Sequence, residues 1–550
     1  MLISLKVNLF GIELLLNIHL FCIFENHLFF MTKKYDYIII GSGFGGAVSA
    51  LRLSEKGYKV LVIEKGKWYK AKDFAKTNWD LKKWLWIPFL RFFGIMKISI
   101  FRHLFVLSGT GVGGGSLVYA NTLPIPKTPF FTTGNWKNLA NWETELKPYY
   151  QTALQMLGAT KNPQLFDGDF QLQQLAKEMN MEDKFEHTNV SVYFGKKGVT
   201  AKDPYFNGEG PDRSGCTFCG ACMTGCKENA KNSLDKNYLY LAQKNGATIL
   251  AEQEVYNVVP IDKKDGAKGY QVFTKSSTAI FKQQQIFNAK GVVFSGGVLG
   301  TIKLLLKIKK KSLPNISSTL GKNIRSNNET LISVSKLEKN SNVSKGIAIG
   351  CVLHTDENTH IEAVRYGAGS GFWKTVHLPF TTGSNVFIRL FKMVVSFVRT
   401  PFSYFKIYVV NSWSKNNIVL LFMQTVDSTL SLKRGFFGMM KSSVSSGTKP
   451  SPFIPASISL AKKYAKITKG KEMSFALETL FGIPSTAHIL GGAVMGIDTS
   501  NGVIDKDNKV FGYQNMYIID GAMISANIGV NPSLTITAIA ERAMHQISEK

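Results

Sequence analysis

Tyr35-Asp36-Tyr37-Ile38-Ile39-Ile40-Gly41-Ser42-Gly43-Phe44-Gly45-Gly46 decides the fold. A short run of aromatic and β-branched residues ends in a cluster of glycines. A helical pattern then runs from Ala47 to Lys56, Gly57 stops it, and a second apolar run extends from Lys59 to Ile63. This order predicts strand, turn, helix and strand. Gly41, Gly43 and Gly46 have G-x-G-x-x-G spacing. The first permits the tight turn, the second lets backbone approach a pyrophosphate, and the third packs helix on strand. The helix N-terminus there offers unpaired N–H groups and a positive dipole end to an anion. Glu64 closes the second strand 23 positions beyond Gly41, where a carboxylate accepts hydrogen bonds from ribose hydroxyls. The unit predicts a dinucleotide site, and its spacing does not separate FAD from NAD.

Working outward, 550 residues exceed what a single hydrophobic core usually supports, so two interleaved or consecutive domains are expected. A 45% hydrophobic composition with 49 glycines and 17 prolines excludes a disordered or fibrous chain. The formal charge of +28 favours an anionic partner. No nucleic-acid motif is present, and basic residues adjoin aromatic and aliphatic clusters. An anionic membrane surface is therefore the expected partner, with a plain basic soluble surface as the alternative. Four of the six cysteines lie between 216 and 226, unlike the dispersed framework of a secreted disulfide protein. A cytoplasmic setting follows, with peripheral attachment at the inner face of the membrane as an added expectation. Lys6, Glu13 and Glu25 interrupt the apolar first thirty residues, and Met31-Thr32-Lys33-Lys34 reads as a start. Residues 1–30 are thus expected to be an upstream extension rather than a membrane span or signal peptide.

The run from Gly41 to Ala47 through Val60-Leu61-Val62-Ile63-Glu64-Lys65-Gly66 resembles the glucose-methanol-choline (GMC) flavoproteins, especially their bacterial cholesterol oxidase-like branch. So do Gly109-Thr110-Gly111-Val112-Gly113-Gly114-Gly115-Ser116, Val293-Phe294-Ser295-Gly296-Gly297-Val298-Leu299-Gly300, and three blocks near the C-terminus. These last are His488-Ile489-Leu490-Gly491-Gly492, Tyr517-Ile518-Ile519-Asp520-Gly521, and Gly529-Val530-Asn531-Pro532-Ser533-Leu534-Thr535. The resemblance implies an α/β fold: a Rossmann-like FAD-binding domain built from discontinuous segments, with an inserted α+β substrate-binding domain. The boundaries drawn from it are 31–125, 216–330 and 476–550 for the FAD-binding parts. Residues 126–215 and 331–475 are then the substrate side.

FAD is the implied cofactor. Gly41, Gly43, Phe44, Gly45, Gly46, Glu64, Gly109, Gly113, Gly114, Gly115, Ser116, Gly296, Gly297, Asp520, Gly521, Asn531 and Pro532 are its implied contacts, with Val255 supplying backbone to adenine. His488 and Asn531 are the implied catalytic pair, acting on an alcohol whose hydride passes to flavin. Ile489 stands where the family commonly has Pro. Read by themselves, Asn531 and Pro532 are an N-cap and first helical residue. The family's isomerising glutamate has a nearest candidate in Glu362, for which pairing with Arg365 is the other reading. The substrate expected is a lipid-like, sterol-like alcohol. A sugar or choline dehydrogenase and a membrane-bound electron carrier without alcohol substrate are the alternatives. The electron acceptor is oxygen, a quinone or a redox protein.

Cys216, Cys219, Cys222 and Cys226 follow the bacterial ferredoxin spacing C-x2-C-x2-C-x3-C, with Lys227 in place of the usual Pro. An iron–sulfur cluster and a structural loop near the flavin are both readings of it. Trp79 to Leu107 and Asn385 to Tyr404 concentrate apolar and basic residues, as an amphipathic cover, a bilayer-facing segment or a core helix would.

Overall fold

The computed structural model describes residues 33–338, 342–409, 412–426 and 428–550. The upstream extension expected at residues 1–30 lies outside the described residues. Strands Lys34–Ile40, Val60–Ile63, Thr248–Leu250, Gln284–Phe294 and Met516–Ile518 pair in parallel in one sheet. Tyr270–Ser276 and Gln253–Pro260 extend it antiparallel. Ile38, Ile39, Val62, Val292, Val293 and Ile518 are completely buried, because helices cover a parallel sheet and leave its strands no solvent face. The strands come from three distant stretches of chain, so this half of the fold is discontinuous.

Helix Phe44–Glu55 packs on this sheet, and helix Ser533–His545 packs on that helix. Buried Glu541 joins them, accepting from Arg52 Nε at 2.7 Å and from the Tyr238 hydroxyl at 2.6 Å. Helix Trp142–Met156 also packs on Ser533–His545, and Tyr150 exchanges a 2.9 Å hydrogen bond with Thr535. Residues 126–215, expected on the substrate side, therefore divide. Trp142, Leu146 and Tyr150 share the core of the nucleotide sheet, whereas Asp167–Glu178 supports a second sheet.

That second sheet is wholly antiparallel, in the spatial order His377–Pro379, Gly470–Phe475, Thr330–Lys336, Asn417–Gln424, Thr359–Val364, Ile349–Asp356 and Phe185–His187. Alternation decides its two faces. Ile332, Val334, Ile361, Ala363, Ile418 and Leu420 pack on helices Asp167–Glu178 and Pro455–Ile467. Leu331, Val364, Val419 and Leu421 point the other way, over a cavity whose far wall is the glycine loops. Register puts Glu362 two residues from Val364, on the same face of the sheet, where it lines an adjoining cavity with His360 and Val530 and reaches this one through Asn531.

Two helical expectations change. Trp79 to Leu107 holds four short strands, Trp86–Ile87, Phe92–Phe93, Met96–Ile100 and Phe105–Gly109, with single helical turns at Leu81–Trp84 and Pro88–Leu90. Met96-Lys97-Ile98-Ser99-Ile100 alternates apolar and polar residues with a period of two. Helix Ser533–His545 has Pro532 at its N-cap, not Asn531, and Pro532 is not its first helical residue. Asn385 to Tyr404 does form helices, Val386–Arg399 and Pro401–Val409, separated at Thr400 before the proline. Among the described residues no helix is long and apolar enough to cross a membrane.

Candidate active site

A cavity of about 310 Å³ runs between the glycine loops and the antiparallel sheet. Gly43, Phe44, Gly45, Gly109, Gly115, Gly296, Gly297, Asp520, Gly521, Asn531 and Pro532 line it, as does His488. A Cβ built on Gly43 meets no atom within 4 Å, so this backbone faces ligand space directly. Gly41, Gly46, Glu64, Gly113, Gly114, Ser116 and Val255 are not in the cavity wall. A Cβ on Gly41, where φ is +105°, would lie 2.3 Å from the Ser295 carbonyl oxygen, and one on Gly46 2.1 Å from that of Gly41. These two glycines are required by close backbone packing. Glu64 accepts from the Ser42 hydroxyl at 2.8 Å and the Gly66 N–H at 2.8 Å, which clamps the turn. Ser116 accepts from the Leu234 N–H at 3.0 Å, and Val255 pairs with Thr274 between strands.

Asp520 accepts from the Thr301 hydroxyl at 2.5 Å and from the Ala522 N–H at 2.8 Å, capping its own turn. Burial raises its pKa to about 6. Lys65 and Lys97 also line the cavity, and neither was singled out from sequence. The charge of Lys65, followed by burial, pushes Lys97 down to about 7. Two ammonium groups set toward one space favour an anion between them. The glycine cradle, the space before Gly43 and these lysines fit a dinucleotide carrying pyrophosphate.

At the other end of the cavity His488 is buried. Its Nδ1 lies 2.8 Å from Glu329 Oε1, which also accepts from Thr486 Oγ1 at 2.8 Å, and the Thr486 hydroxyl in turn receives the His488 N–H at 2.9 Å. Burial alone would lower the imidazole pKa, but Glu329 and then Glu362 outweigh it and hold it above the ordinary histidine value. Asn531 Nδ2 donates to Glu362 Oε2 at 3.4 Å, and buried Asn531 Oδ1 has no hydrogen-bond partner. That orphaned acceptor lies in the cavity wall with Pro532 and Ser533 at the start of the C-terminal helix.

Burial raises the Glu362 carboxyl to about 7 against the lowering influence of His488 and Asn531. The pairing of Glu362 with Arg365 does not occur: Arg365 is paired with Asp169, its Nη1 donating at 2.8 Å. Glu329 carried no sequence signal, since an isolated glutamate before a strand looks like any surface carboxylate.

The geometry therefore joins a dinucleotide cradle to a buried base and amide. The GMC oxidoreductase N-terminal profile matches residues 35–328 and the C-terminal profile residues 451–540. The chain belongs to the GMC oxidoreductase family. It is 43% identical over 526 residues to a cholesterol oxidase of Acinetobacter baumannii, covering 94% of this chain and 95% of that protein. A cholesterol oxidase of Mycobacterium tuberculosis is 41% identical over 530 residues, covering 93% and 91%. A long-chain-alcohol oxidase of Arabidopsis thaliana is 25% identical, covering 92% and 66%. Among solved structures, pyridoxine 4-oxidase from Mesorbium loti superposes with a TM-score of 0.58 at 12% identity, over 93% of this chain and 98% of that one, a likeness of fold. As a GMC protein this chain is an FAD-dependent oxidoreductase acting on CH–OH groups.

Proposed function

We propose that this chain oxidises the hydroxyl of a sterol-like alcohol to a carbonyl, with His488 and Asn531 acting on the hydroxyl. One observation carries the reading: the two side chains line one cavity together with the apolar Leu331, Val364, Tyr366, Trp373, Val419 and Leu421. Such a wall suits a large apolar body with one polar end. Two relatives named cholesterol oxidases support the sterol, and their oxidase names support oxygen as electron acceptor. Bound FAD supplies the acceptor for the hydride leaving the carbinol carbon.

With Nδ1–H donated to Glu329, Nε2 of neutral His488 is left to take the hydroxyl proton, and the carboxylate stabilises the imidazolium that results. Asn531 stands in the same wall beside the hydroxyl, its amide held through Nδ2 on Glu362 and its Oδ1 without a protein donor. A sugar would leave its many hydroxyls unpaired against this apolar wall, and choline would bury a cationic head there. Anaerobic bleaching of the flavin by a panel of sterols, long-chain alcohols, sugars and choline tests the proposal. Bleaching by sterols supports it, and bleaching by sugars or choline alone overturns it.

A second reading concerns Glu362. A buried carboxyl with its pKa raised to about 7, beside Asn531 and on the cavity side of its strand, is suited to carrying a proton between carbons of an enone product. Conjugated-enone absorption that vanishes in Glu362→Gln, with alcohol oxidation retained, is the expected result.

The setting proposed is an anionic bilayer surface. On helices Val386–Arg399 and Pro401–Val409, Phe387, Phe391, Val398, Phe402 and Phe405 are each at least 65% exposed. Lys392, Arg399 and Lys406 lie on the same helices. Helices of this kind combine apolar insertion with attraction to anionic headgroups. The Tyr408 hydroxyl donates to the backbone of cavity-lining His377 at 2.9 Å, so the bilayer-facing helices adjoin the substrate wall.

A further inference from the structure

The four clustered cysteines take no part in the alcohol chemistry. Their loop nevertheless turns Cys216, Cys219, Cys222 and Cys226 toward one small cavity, completed by Val192 and Lys231. Left-handed backbone at Phe218 (φ 55°) and Gly220 (φ 71°) curls the chain around it, and Cys219 forms a backbone bridge to Gly346. Three backbone amides point at sulfur. Phe218 N–H donates to Cys216 Sγ at 3.4 Å, while Ala230 and Lys231 N–H donate to Cys226 Sγ at 3.4 and 3.5 Å. Amide donors to cysteine sulfur are a means by which proteins hold and tune thiolate ligands.

Among the described residues, no three His, Cys, Asp or Glu side chains converge closely enough to hold a single metal ion. A structural zinc draws four ligands onto one centre and is usually held by separated cysteine pairs rather than by one run of this spacing. A cluster is different, because each cysteine binds its own iron around a shared inorganic core. In a two-cluster ferredoxin the fourth cysteine of this run serves the other cluster. Here Cys226 returns to the same cavity as the first three.

We propose that Cys216, Cys219, Cys222 and Cys226 ligate one iron–sulfur cluster. The site lies directly behind the large cavity: Met223, next to Cys222, is in that cavity's wall together with Val118 and Tyr119. Buried Lys231 ties the two regions together. Its ammonium donates to the carbonyls of Leu117, Tyr119 and Cys222 at 3.1, 2.9 and 2.9 Å. The proposal is independent of which alcohol is oxidised.

The test is iron, zinc and acid-labile sulfide analysis of the full chain purified anaerobically and reconstituted with ferrous iron and sulfide, with flavin content and alcohol-dependent bleaching measured on the same sample. Equal iron and sulfide at ~4 per chain are expected. Visible absorption beyond the flavin bands should accompany them and disappear in Cys219→Ser. Zinc in place of iron, or flavin absorption alone with four alkylatable thiols, overturns the proposal. The wild-type analysis decides even if the variant fails to fold. A cluster-free protein whose flavin is still bleached sinks only this proposal, and a clustered protein that no alcohol bleaches sinks only the alcohol reading.

Discussion

Nδ1 of His488 lies 2.8 Å from Oε1 of Glu329, a carboxylate 159 positions earlier in the chain. This contact sets the tautomer and raises the imidazole pKa together, because a buried anion favours both the Nδ1–H form and the protonated ring. Glu329→Gln should therefore keep flavin bound and lower the reductive rate by about 10–100-fold. It should also move the acidic limb of kcat/KM to lower pH, since the base works when deprotonated and its pKa falls. Stopped-flow flavin reduction across pH checks both.

His488→Ala and Asn531→Ala should retain flavin and each lose about 10²–10⁴-fold in the reductive half-reaction. Because Pro532 occupies the N-cap, Asn531→Ala removes no capping hydrogen bond, and its thermal midpoint should stay near that of the parent. Unfolding of that variant would return Asn531 to a structural role.

Two glycines of one motif should fail differently. Gly43→Val has open space for its side chain, so the protein should fold and lose flavin as the side chain fills the dinucleotide cavity. Gly41→Val, at φ +105° and 2.3 Å from the Ser295 oxygen, should not accumulate as folded protein. Soluble yield and the flavin-to-protein absorbance ratio separate the two.

Glu362 is raised from 4.5 to about 7 in the folded chain. The folded state holds that proton where the unfolded state releases it. The associated stability is complete below about pH 4.5 and is lost as pH rises toward 7. Glu362→Gln should remove this share and flatten the thermal midpoint between those values. Glu478, also raised to about 7 by burial, keeps its own contribution.

Phe391→Glu and Val398→Glu, both on the exposed face of Val386–Arg399, should each weaken sedimentation with anionic vesicles by about 10-fold or more. The loss of about 1.5–3 kcal/mol of apolar burial sets that scale. Salt should weaken the parent, and equal binding to neutral and anionic vesicles would contradict the electrostatic part.

What the sequence determined by itself was local. Gly41, Gly43 and Gly46 lie within six residues of one another, and turn, helix start and strand follow from backbone sterics at that range. The discontinuous α/β architecture was legible through motifs of the same kind, as were His488 beside its glycines and the cysteine spacing. Tertiary structure alone decided the partners. Glu329, just before Thr330–Lys336, reaches His488 across 159 positions, and Glu362 reaches Asn531 across 169 because strand register sets the face on which its carboxylate emerges. A shift of one residue along Thr359–Val364 would turn Glu362 away from the cavity and bury it among Ile361's neighbours. Side-chain pairing of this kind depends on non-local packing, and for that reason the N-cap reading of Asn531 and the Arg365 pairing of Glu362 were locally reasonable and gave way in the folded chain.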